Sequence, residues 1–273
     1  MLYDMHCHLD FAEDGVQAAC RAAGDIAAFS ATVDPHACTA ARHAFGRCDG
    51  VRVGLGLHPW QASRPDFSAL VDAFVAHAPQ HAFIGEVGLD FSAKHEGSRM
   101  RQLEAFERVV RSCLVAPGDG RLHAQTAACG IVSIHAVHAI SDVLDVLERE
   151  GAVDARSRVE GAAAAGRALV VHSFNGTSDE LHRAVKAGLF FSVGPRMLAS
   201  KRGRAYARAI PLERLLLETD MPPAAGAPFS LRAWHAALED ALAHLAAARG
   251  QDQGLLRRRI EQTSRRILGL DEV

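Results

Sequence analysis

Eight short apolar segments alternate with segments of helical composition along this chain. This alternation constrains the fold most, because strands separated by helices pair in parallel and need helices on the faces of the sheet. Eight repeats within 273 residues favour an α/β fold, a (β/α)8 barrel of the TIM type. The predicted strands are the opening segment and residues 26–33, 51–57, 82–87, 131–134, 168–171, 189–193 and 214–217.

The domain organisation follows from the same continuity. No linker or low-complexity tract divides the chain, so we expect a single domain over residues 1–273, with a surface insertion at about 114–130 that contains Pro117, Gly118 and Gly120. An open doubly wound sheet is the alternative fold. No glycine-rich phosphate-binding turn follows the first strand, which disfavours that alternative.

Composition excludes several function classes. The formal charge of −2 and the pI near 6.7 predict no binding to nucleic acid through bulk positive charge. The six cysteines form no CxxC pair and are expected to be reduced thiols. No apolar run is long enough to cross a bilayer, and acidic and histidine residues interrupt the start where a signal peptide would lie, so we expect a cytoplasmic protein.

The opening segment carries the first candidate ligands. His6 and His8 are two residues apart, so in an extended strand they point to the same side, while Cys7 points to the other. Two imidazoles at the end of a strand can hold one divalent metal ion. An HxH pair alone is a weak signal, since two polar strand residues can equally be satisfied by neighbouring groups.

Other potential ligands recur at the ends of later predicted strands, and the carboxyl ends of parallel barrel strands meet at one rim. These residues are His58, Glu86, His135, His172 and Asp220. Buried polar side chains at the ends of apolar strands need partners, and a shared pair of cations would supply them. In this scheme His6, His8 and Asp220 hold one ion, His135 and His172 hold the other, and Glu86 bridges them. Nitrogen and oxygen ligands without thiolate fit Zn, Mn or Mg.

Six segments in order resemble one family. They are Asp4–Asp10 (DMHCHLD), residues 56–59 (GLHP), 85–90 (GEVGLD), 133–135 (SIH), 172–176 (HSFNG) and 217–222 (LETDMP). Together they are similar to the TatD family of metal-dependent deoxyribonucleases, within the amidohydrolase-like barrel group. The resemblance covers the chain from its first residues to about residue 222.

The resemblance implies metal ligation by His6, His8, Glu86, His135, His172 and Asp220. It also implies hydrolysis of DNA phosphodiester bonds, as an exonuclease on single strands, by a water activated between two divalent cations. Asp220 is then suited to take the water proton, Glu86 to bridge the ions, and His58 to contact the substrate phosphate. For His58, a hydrogen-bonded histidine beside Pro59 is an almost equal interpretation.

Two departures from the family pattern stand out. Val137 occupies a position where the family usually has an arginine, and the insertion at 114–130, which we expect to be an inert loop or a protein-binding element, has no family counterpart. Arg196, at the end of the seventh strand, is our candidate replacement for that phosphate contact, because loops there often hold phosphate in barrels. For Lys201, Arg202 and Arg204 a solvated basic helix start is favoured. Trp60 either stacks on an unpaired base or packs a loop.

Two other functions remain open from the sequence. The same metals could serve a hydrolase of another phosphoester or of an acyl or amide bond, since barrels host many hydrolyses. A weakly active subunit of a multi-protein system, such as anti-phage defence, is the alternative from a different class. DNA repair and DNA turnover are further settings that the resemblance allows.

Overall fold

The computed structural model describes residues 1–114, 129–153 and 166–271. Its strands follow the predicted order. They are β1 (Leu2–Cys7), β2 (Ile26–Ser30), β3 (Val51–Val53), β4 (Leu55–Leu57), β5 (Phe83–Asp90), β6 (Ile131–Val137), β7 (Ala168–His172), β8 (Phe190–Val193) and β9 (Leu215–Leu217). Gly54 alone separates β3 from β4, so together they form the predicted third strand.

Helices follow the strands in turn. They are α1 (Gly15–Arg21), α2 (Pro35–Phe45), α3 (Phe67–His77), α4 (Arg99–Cys113), α5 (Ile140–Arg149), α6 (Ser178–Lys186), α7 (Pro195–Ala199), α8 (Lys201–Ala209), α9 (Leu231–Arg249) and α10 (Gln253–Leu268). The short helix α7 was not predicted. The sequence predicts a cap for α6 at Thr177 or Ser178. Thr177 is the cap, and it forms a reciprocal pair of hydrogen bonds with Glu180.

All the described strand pairings are parallel, in the order β1-β2-β3 and β4-β5-β6-β7-β8-β9. Thr32, just after β2, joins the two groups: its N–H donates to Gly85 O (2.9 Å), and its carbonyl accepts from Glu86 N–H (2.8 Å). At the other junction, Asp220 N–H donates to His6 O (2.9 Å) and His8 N–H donates to Met221 O (2.8 Å). The strands therefore form one ring, and the predicted parallel barrel is confirmed.

Apolar side chains alternate between two layers along the strands. Leu169, Val171 and Leu217 belong to a large buried cluster that includes the apolar faces of the helices. Val170 and Leu216 belong to a second cluster, which consists mostly of strand residues together with Ile267 and Leu268 of α10. This is the alternation expected when one face of each strand lines the barrel and the other packs on helices. The polar site lies at one end of the inner layer.

The register shifts in two strands, between Asp4 and Cys7 of β1 and between Ile84 and Val87 of β5. Each shift changes which side chains face inward, as an irregular strand residue does. His6 and Glu86 both turn to the interior just at these points. Strict alternation from Asp4 or from Ile84, whose side chains pack on the outer layer, would have turned them outward.

The predicted ends of three strands are wrong. β2 ends at Ser30 and not at residue 33. β5 continues to Asp90 and β6 to Val137, so Glu86 and His135 lie within strands and not at strand ends. The apolar pattern predicts an early end for β5 and for β6, because glycine and histidine residues interrupt the apolar runs of both strands.

Residues 115–128 of the predicted insertion lie outside the described residues, and the single domain over 1–273 stays a prediction. No helix in the described ranges has both the length and the apolar composition needed to span a membrane.

A buried carboxylate ties the first and last strands together. Asp4, fully buried, accepts hydrogen bonds from Thr219 N–H (3.0 Å), the Thr219 hydroxyl (2.5 Å) and the Trp234 indole N–H (2.6 Å). Burial raises the pKa of Asp4 to about 6, against the opposing effect of these hydrogen bonds. One side chain thus fixes β1 to the segment after β9 and to α9.

We therefore expect Asp4→Asn to lower the free energy of unfolding by about 1–3 kcal/mol at pH 7.5, because an amide NH2 would replace one acceptor among these donors. Urea unfolding followed by circular dichroism measures this. Asp252→Asn is the matched control, since Asp252 caps α10 and asparagine caps helices equally well. Equal stability of the two variants would contradict the role of Asp4.

Candidate metal centre

The first strand delivers two imidazoles to one point. His6 and His8 are buried, and their Nε2 atoms lie 3.5 and 3.4 Å from the same oxygen, Oε2 of Glu86. Cys7 points the other way, where its thiol donates to Phe29 O. The HxH pair thus presents its two rings on the same side, as the spacing predicts.

A contact at the Nδ1 atom fixes the orientation of each of these two rings. His8 Nδ1–H donates to Ala31 O (3.0 Å), which directs the Nε2 edge of the ring at the site. His6 Nδ1 lies 2.7 Å from the Ser133 hydroxyl, and its buried Nε2 has no hydrogen-bond partner among the described residues. A backbone or hydroxyl partner on one ring nitrogen and a free second nitrogen is the arrangement of metal-binding histidines.

The charge of the cluster sets the protonation of these rings. Burial and the charge of His172 lower the pKa of His6 to about 4, so this ring is neutral at pH 7. Burial also lowers the pKa of His8, but hydrogen bonds to Asp220 and Glu86 outweigh it and raise the pKa to about 10. The two rings therefore differ in charge although they share a carboxylate.

Glu86 stands at the centre of the cluster. Besides His6 and His8, three more imidazoles approach its other oxygen Oε1: His135 Nδ1 at 2.6 Å, His172 Nε2 at 2.8 Å and His58 Nε2 at 3.4 Å. Burial raises the pKa of Glu86, but the charges of His58, His172 and His135 outweigh it and hold the pKa well below its usual range. Glu86 is thus a buried carboxylate whose two oxygens face two groups of rings.

Two glycines let the backbone segments around this cluster approach each other closely. An added Cβ on Gly56 would lie 1.7 Å from Thr32 O, and one on Gly88 would lie 2.0 Å from His135 O. Glycine is therefore required at both positions, because any side chain would push apart the strands that carry His58, Glu86 and His135.

Asp220 completes the cluster from the loop after β9. Its Oδ1 lies 3.5 Å from His8 Nε2 and 3.8 Å from His6 Nε2, and its side chain is about one-quarter exposed. Burial raises the pKa of Asp220, but the hydrogen bond with His8 and the charges of His172 and His6 hold it below its usual range. Its backbone is in the left-handed region (φ 57°), an unfavourable conformation that persists at functional sites where surrounding contacts hold it.

Three sets of ligand atoms lie close enough together to share an ion. They are His6–His8–Glu86, His6–His172–Asp220 and His58–Glu86–His135. The structure therefore brings all six predicted ligands together. The predicted division of these ligands between two ions stays a prediction. His6 belongs to two sets, and His58, which the sequence assigned to substrate, belongs to the third.

The hydrogen bonding of His58 separates it from the other rings. Its Nδ1 accepts from Trp60 N–H (3.2 Å), and burial lowers its pKa to about 4, so the neutral ring carries its proton on Nε2. A protonated Nε2 can donate a hydrogen bond but cannot offer a lone pair to a cation. This geometry favours a donor role for His58.

The sequence missed Asp90, the last residue of β5. Its Oδ2 accepts from the Trp60 indole N–H (2.6 Å) and lies 3.4 Å from His135 Nε2. Burial raises the pKa of Asp90, but hydrogen bonds from His135, Ser92 and Trp60 outweigh it and lower the pKa. Asp90 orients the His135 ring, and its place in the 85–90 segment was the available signal.

The sequence also did not predict two other buried groups at the site, Glu218 and Ser133. Glu218 accepts from the Ser192 hydroxyl (2.5 Å), and its Oε2 lies 3.8 Å from His172 Nδ1. Burial and the charge of Asp220 raise the pKa of Glu218 well above its usual range. Ser133 holds the ring of His6. Both lie inside the matched segments, but a serine within an apolar strand and a glutamate just after one give no signal of what they face.

A cavity of about 320 Å³ opens onto the cluster, and we call it the central cavity. Trp60 stands at its edge, half exposed, stacked on His95 (centroids 5.3 Å apart). Arg196 of α7 also lines it, 77% exposed, with Nη1 3.5 Å from Asp220 Oδ2. Val137, at the position of the absent family arginine, lines the same cavity without contributing charge.

Comparisons with known proteins identify relatives of this chain. The chain is 27% identical over 177 residues to human deoxyribonuclease TATDN3, a match that covers 62% of this chain and 56% of that protein. The chain thus spans about half the length of the first curated relatives that it matches. It is 32% identical over 247 residues to the 3'-5' ssDNA/RNA exonuclease TatD of Musicola paradisiaca, covering 87% of this chain and 83% of that protein.

Solved structures share the fold. The TatD homolog YJJV of Escherichia coli superposes with a TM-score of 0.68 at 18% identity, over 98% of each chain. An uncharacterized amidohydrolase of Saccharomyces cerevisiae superposes with a TM-score of 0.72 at 18% identity, over 98% of this chain and 99% of that one. The model of the TatD related DNase family matches residues 3–269, and the chain belongs to this family.

Proposed function

We propose that the protein is a metal-dependent deoxyribonuclease that hydrolyses phosphodiester bonds of DNA, acting as an exonuclease on single strands. The observation that carries the proposal is the convergence of five imidazoles on Glu86, with Asp220 beside them at the open end of the barrel. Family membership and the nuclease names of the relatives support the same conclusion.

The proposed ligands are His6, His8, Glu86, His135, His172 and Asp220, and the proposed cofactors are two divalent ions, Mg, Mn or Zn. The donor set fits such ions, since it offers nitrogen and oxygen and no thiolate, and since His6 Nε2 is buried without a partner among the described residues. Glu86 has one oxygen for each group of rings and is suited to bridge. Cations bound here would lower the pKa of a water and neutralise charge on the phosphate.

Asp220 is the proposed proton acceptor. Its lowered pKa keeps it ionised at neutral pH, and its partial exposure at the central cavity lets a water reach it. The left-handed backbone at Asp220 and its N–H bond to His6 O fix the direction of the carboxylate. A fixed carboxylate near the reacting water is what general base catalysis needs.

His58 and Arg196 are the proposed phosphate contacts. His58, whose Nε2 lies 3.4 Å from Glu86 Oε1, lines the central cavity as a neutral donor, and the Arg196 guanidinium supplies a positive charge at its rim. Arg196 would thus supply the charge that Val137 lacks. Trp60 at the cavity edge offers an aromatic surface to an unpaired base, which suits a single strand.

The proposal also covers the substrate, the location in the cell and a protein partner. The substrate partner is DNA with single-stranded ends, and the expected location is the cytoplasm. A protein partner that binds through the 114–130 insertion also stays a prediction, because residues 115–128 lie outside the described part of the chain.

Metal analysis together with a nuclease assay tests the proposal. We expect about two bound divalent ions per chain, loss of hydrolysis of single-stranded DNA after chelation, and recovery when Mg, Mn or Zn is returned. His135→Ala should lower the metal content by about one ion, because it removes one ligand set. His244→Ala, an exposed histidine on α9, is the matched control.

Two outcomes would contradict the proposed metal centre. One is an unchanged rate of hydrolysis in the presence of a chelator. The other is the same metal content in His135→Ala, His244→Ala and the parent protein.

A second experiment addresses the proton acceptor. Asp220→Asn should lower kcat on single-stranded DNA by about 10²–10⁴-fold, because the amide cannot accept the water proton. Asp240→Asn, an exposed acid on α9, is the matched control and should keep the parent rate. Circular dichroism shows whether each variant is folded. Equal rates for the two variants would rule out Asp220 as the base and would point to a contaminating nuclease.

A further inference from the structure

A second cavity lies beside the central cavity, and Arg196 lines both. It measures about 160 Å³ and lies between the loop after β7 and the helices α7 and α8. Ser173 and Asn175 form its wall on the loop side, and Arg202 and Tyr206 form it on the side of α8. We call it the arginine cavity.

The lining of the arginine cavity is positively charged. The described residues that line it supply the two guanidinium groups of Arg196 and Arg202 and no carboxylate. Arg202 donates one hydrogen bond, from Nη2 to Asn175 O (3.0 Å), and lies 6.0 Å from the Tyr206 ring. Within the described residues Arg202 has no acidic partner, so most of its N–H groups remain free to bind an anion.

A third cavity, on the other side of Arg202, differs in charge. It measures about 300 Å³, and its lining includes the Glu180 carboxylate. That carboxylate accepts hydrogen bonds from Ser141 and Thr177 and stays negative, since these bonds lower its pKa against the effect of burial. An anion that enters beside Arg202 is therefore favoured on the Arg196 side and disfavoured on the Glu180 side.

We propose that the arginine cavity binds a backbone phosphate of the substrate strand that flanks the phosphate being cleaved. The inference rests on the proposed function, because it assigns to the same substrate a second point of contact. Arg196 lines both cavities. A DNA strand that passes from the central cavity into the arginine cavity therefore stays close to a positive charge. Arg202 is then a binding residue and not only part of a solvated helix start.

This assignment makes recognition depend on substrate length. A dinucleoside monophosphate, dTpdT, has one phosphate, which occupies the central cavity. A longer strand such as (dT)10 has flanking phosphates that reach the arginine cavity as well. The contribution of Arg202 should therefore grow when the substrate is lengthened.

The test compares Arg202→Gln with Arg208→Gln. Arg208 is exposed on the same helix and lines none of the three cavities, so its replacement removes the same charge without touching the proposed contact. Binding is measured by fluorescence anisotropy with a phosphorothioate (dT)10, which keeps the backbone charge and resists hydrolysis, on the metal-loaded protein. Hydrolysis of (dT)10 and of dTpdT is measured alongside.

For Arg202→Gln we expect about fivefold to tenfold weaker binding of the oligonucleotide and a salt dependence reduced by roughly 0.7 in the log–log slope, as for one lost contact to a single strand. The ratio of kcat/KM on (dT)10 to kcat/KM on dTpdT should fall by a similar factor. Arg208→Gln should change neither quantity.

Equal effects of the two variants, or an unchanged ratio between the long and short substrates, would overturn the inference. Failure of the proposed function gives a different result: hydrolysis would then be absent in every variant, while the loss of oligonucleotide binding in Arg202→Gln would still identify the phosphate site. No binding of (dT)10 by the parent protein would overturn both.

Discussion

The buried carboxylate of Glu86 is the constraint on which the rest of the structure depends. A carboxylate that is only 3% exposed is costly unless charged or hydrogen-bonding partners surround it. Here the partners are imidazoles from β1, β6 and β7 and from the turn after β4, with Asp220 after β9 on the far side of the histidine pair. The strands that carry these partners therefore have to be held in fixed positions for one side chain to be satisfied.

The backbone is irregular where it meets this constraint. The register shifts in β1 and β5 turn His6 and Glu86 inward, and the glycines at 56 and 88 let neighbouring strands approach closely enough to hold them there. Regular strands would have placed both side chains among the apolar residues that pack on the helices. The barrel thus departs from ideal geometry at the positions that supply chemistry, which is common beside active sites.

Most of the fold could be predicted from the sequence, because periodic apolar segments report directly on strands and helices. The order of the strands, the parallel barrel and the cap at Thr177 all follow from such local patterns. The ends of β5 and β6 do not, since the strands continue through glycine and histidine, where composition predicts a loop. The short helix α7 begins with Gly194 and Pro195 and is too brief to show a periodic pattern.

The site could be predicted only in part, for a related reason. Histidines near strand ends can be recognised as candidate ligands from the sequence. The structure brings five of them together around Glu86: His6, His8, His58, His135 and His172. Asp4, Asp90 and Glu218 act by orienting or neutralising other groups, and nothing in a local pattern shows which partner a buried acid faces. How these ligands divide between two ions stays a prediction, since the spacing of residues along the sequence does not encode the distances between their side chains.

The joining of β1 to the segment after β9 also has a consequence for biosynthesis. His6 and His8 leave the ribosome well before Asp220 and the Thr219 that holds Asp4, which emerge only after all the described strands have been made. The nascent chain therefore carries exposed imidazoles with no carboxylate from the last strand to face them. The cluster is complete only when the ring of strands closes between β1 and the segment after β9. The site therefore forms late in the folding of the chain and not gradually.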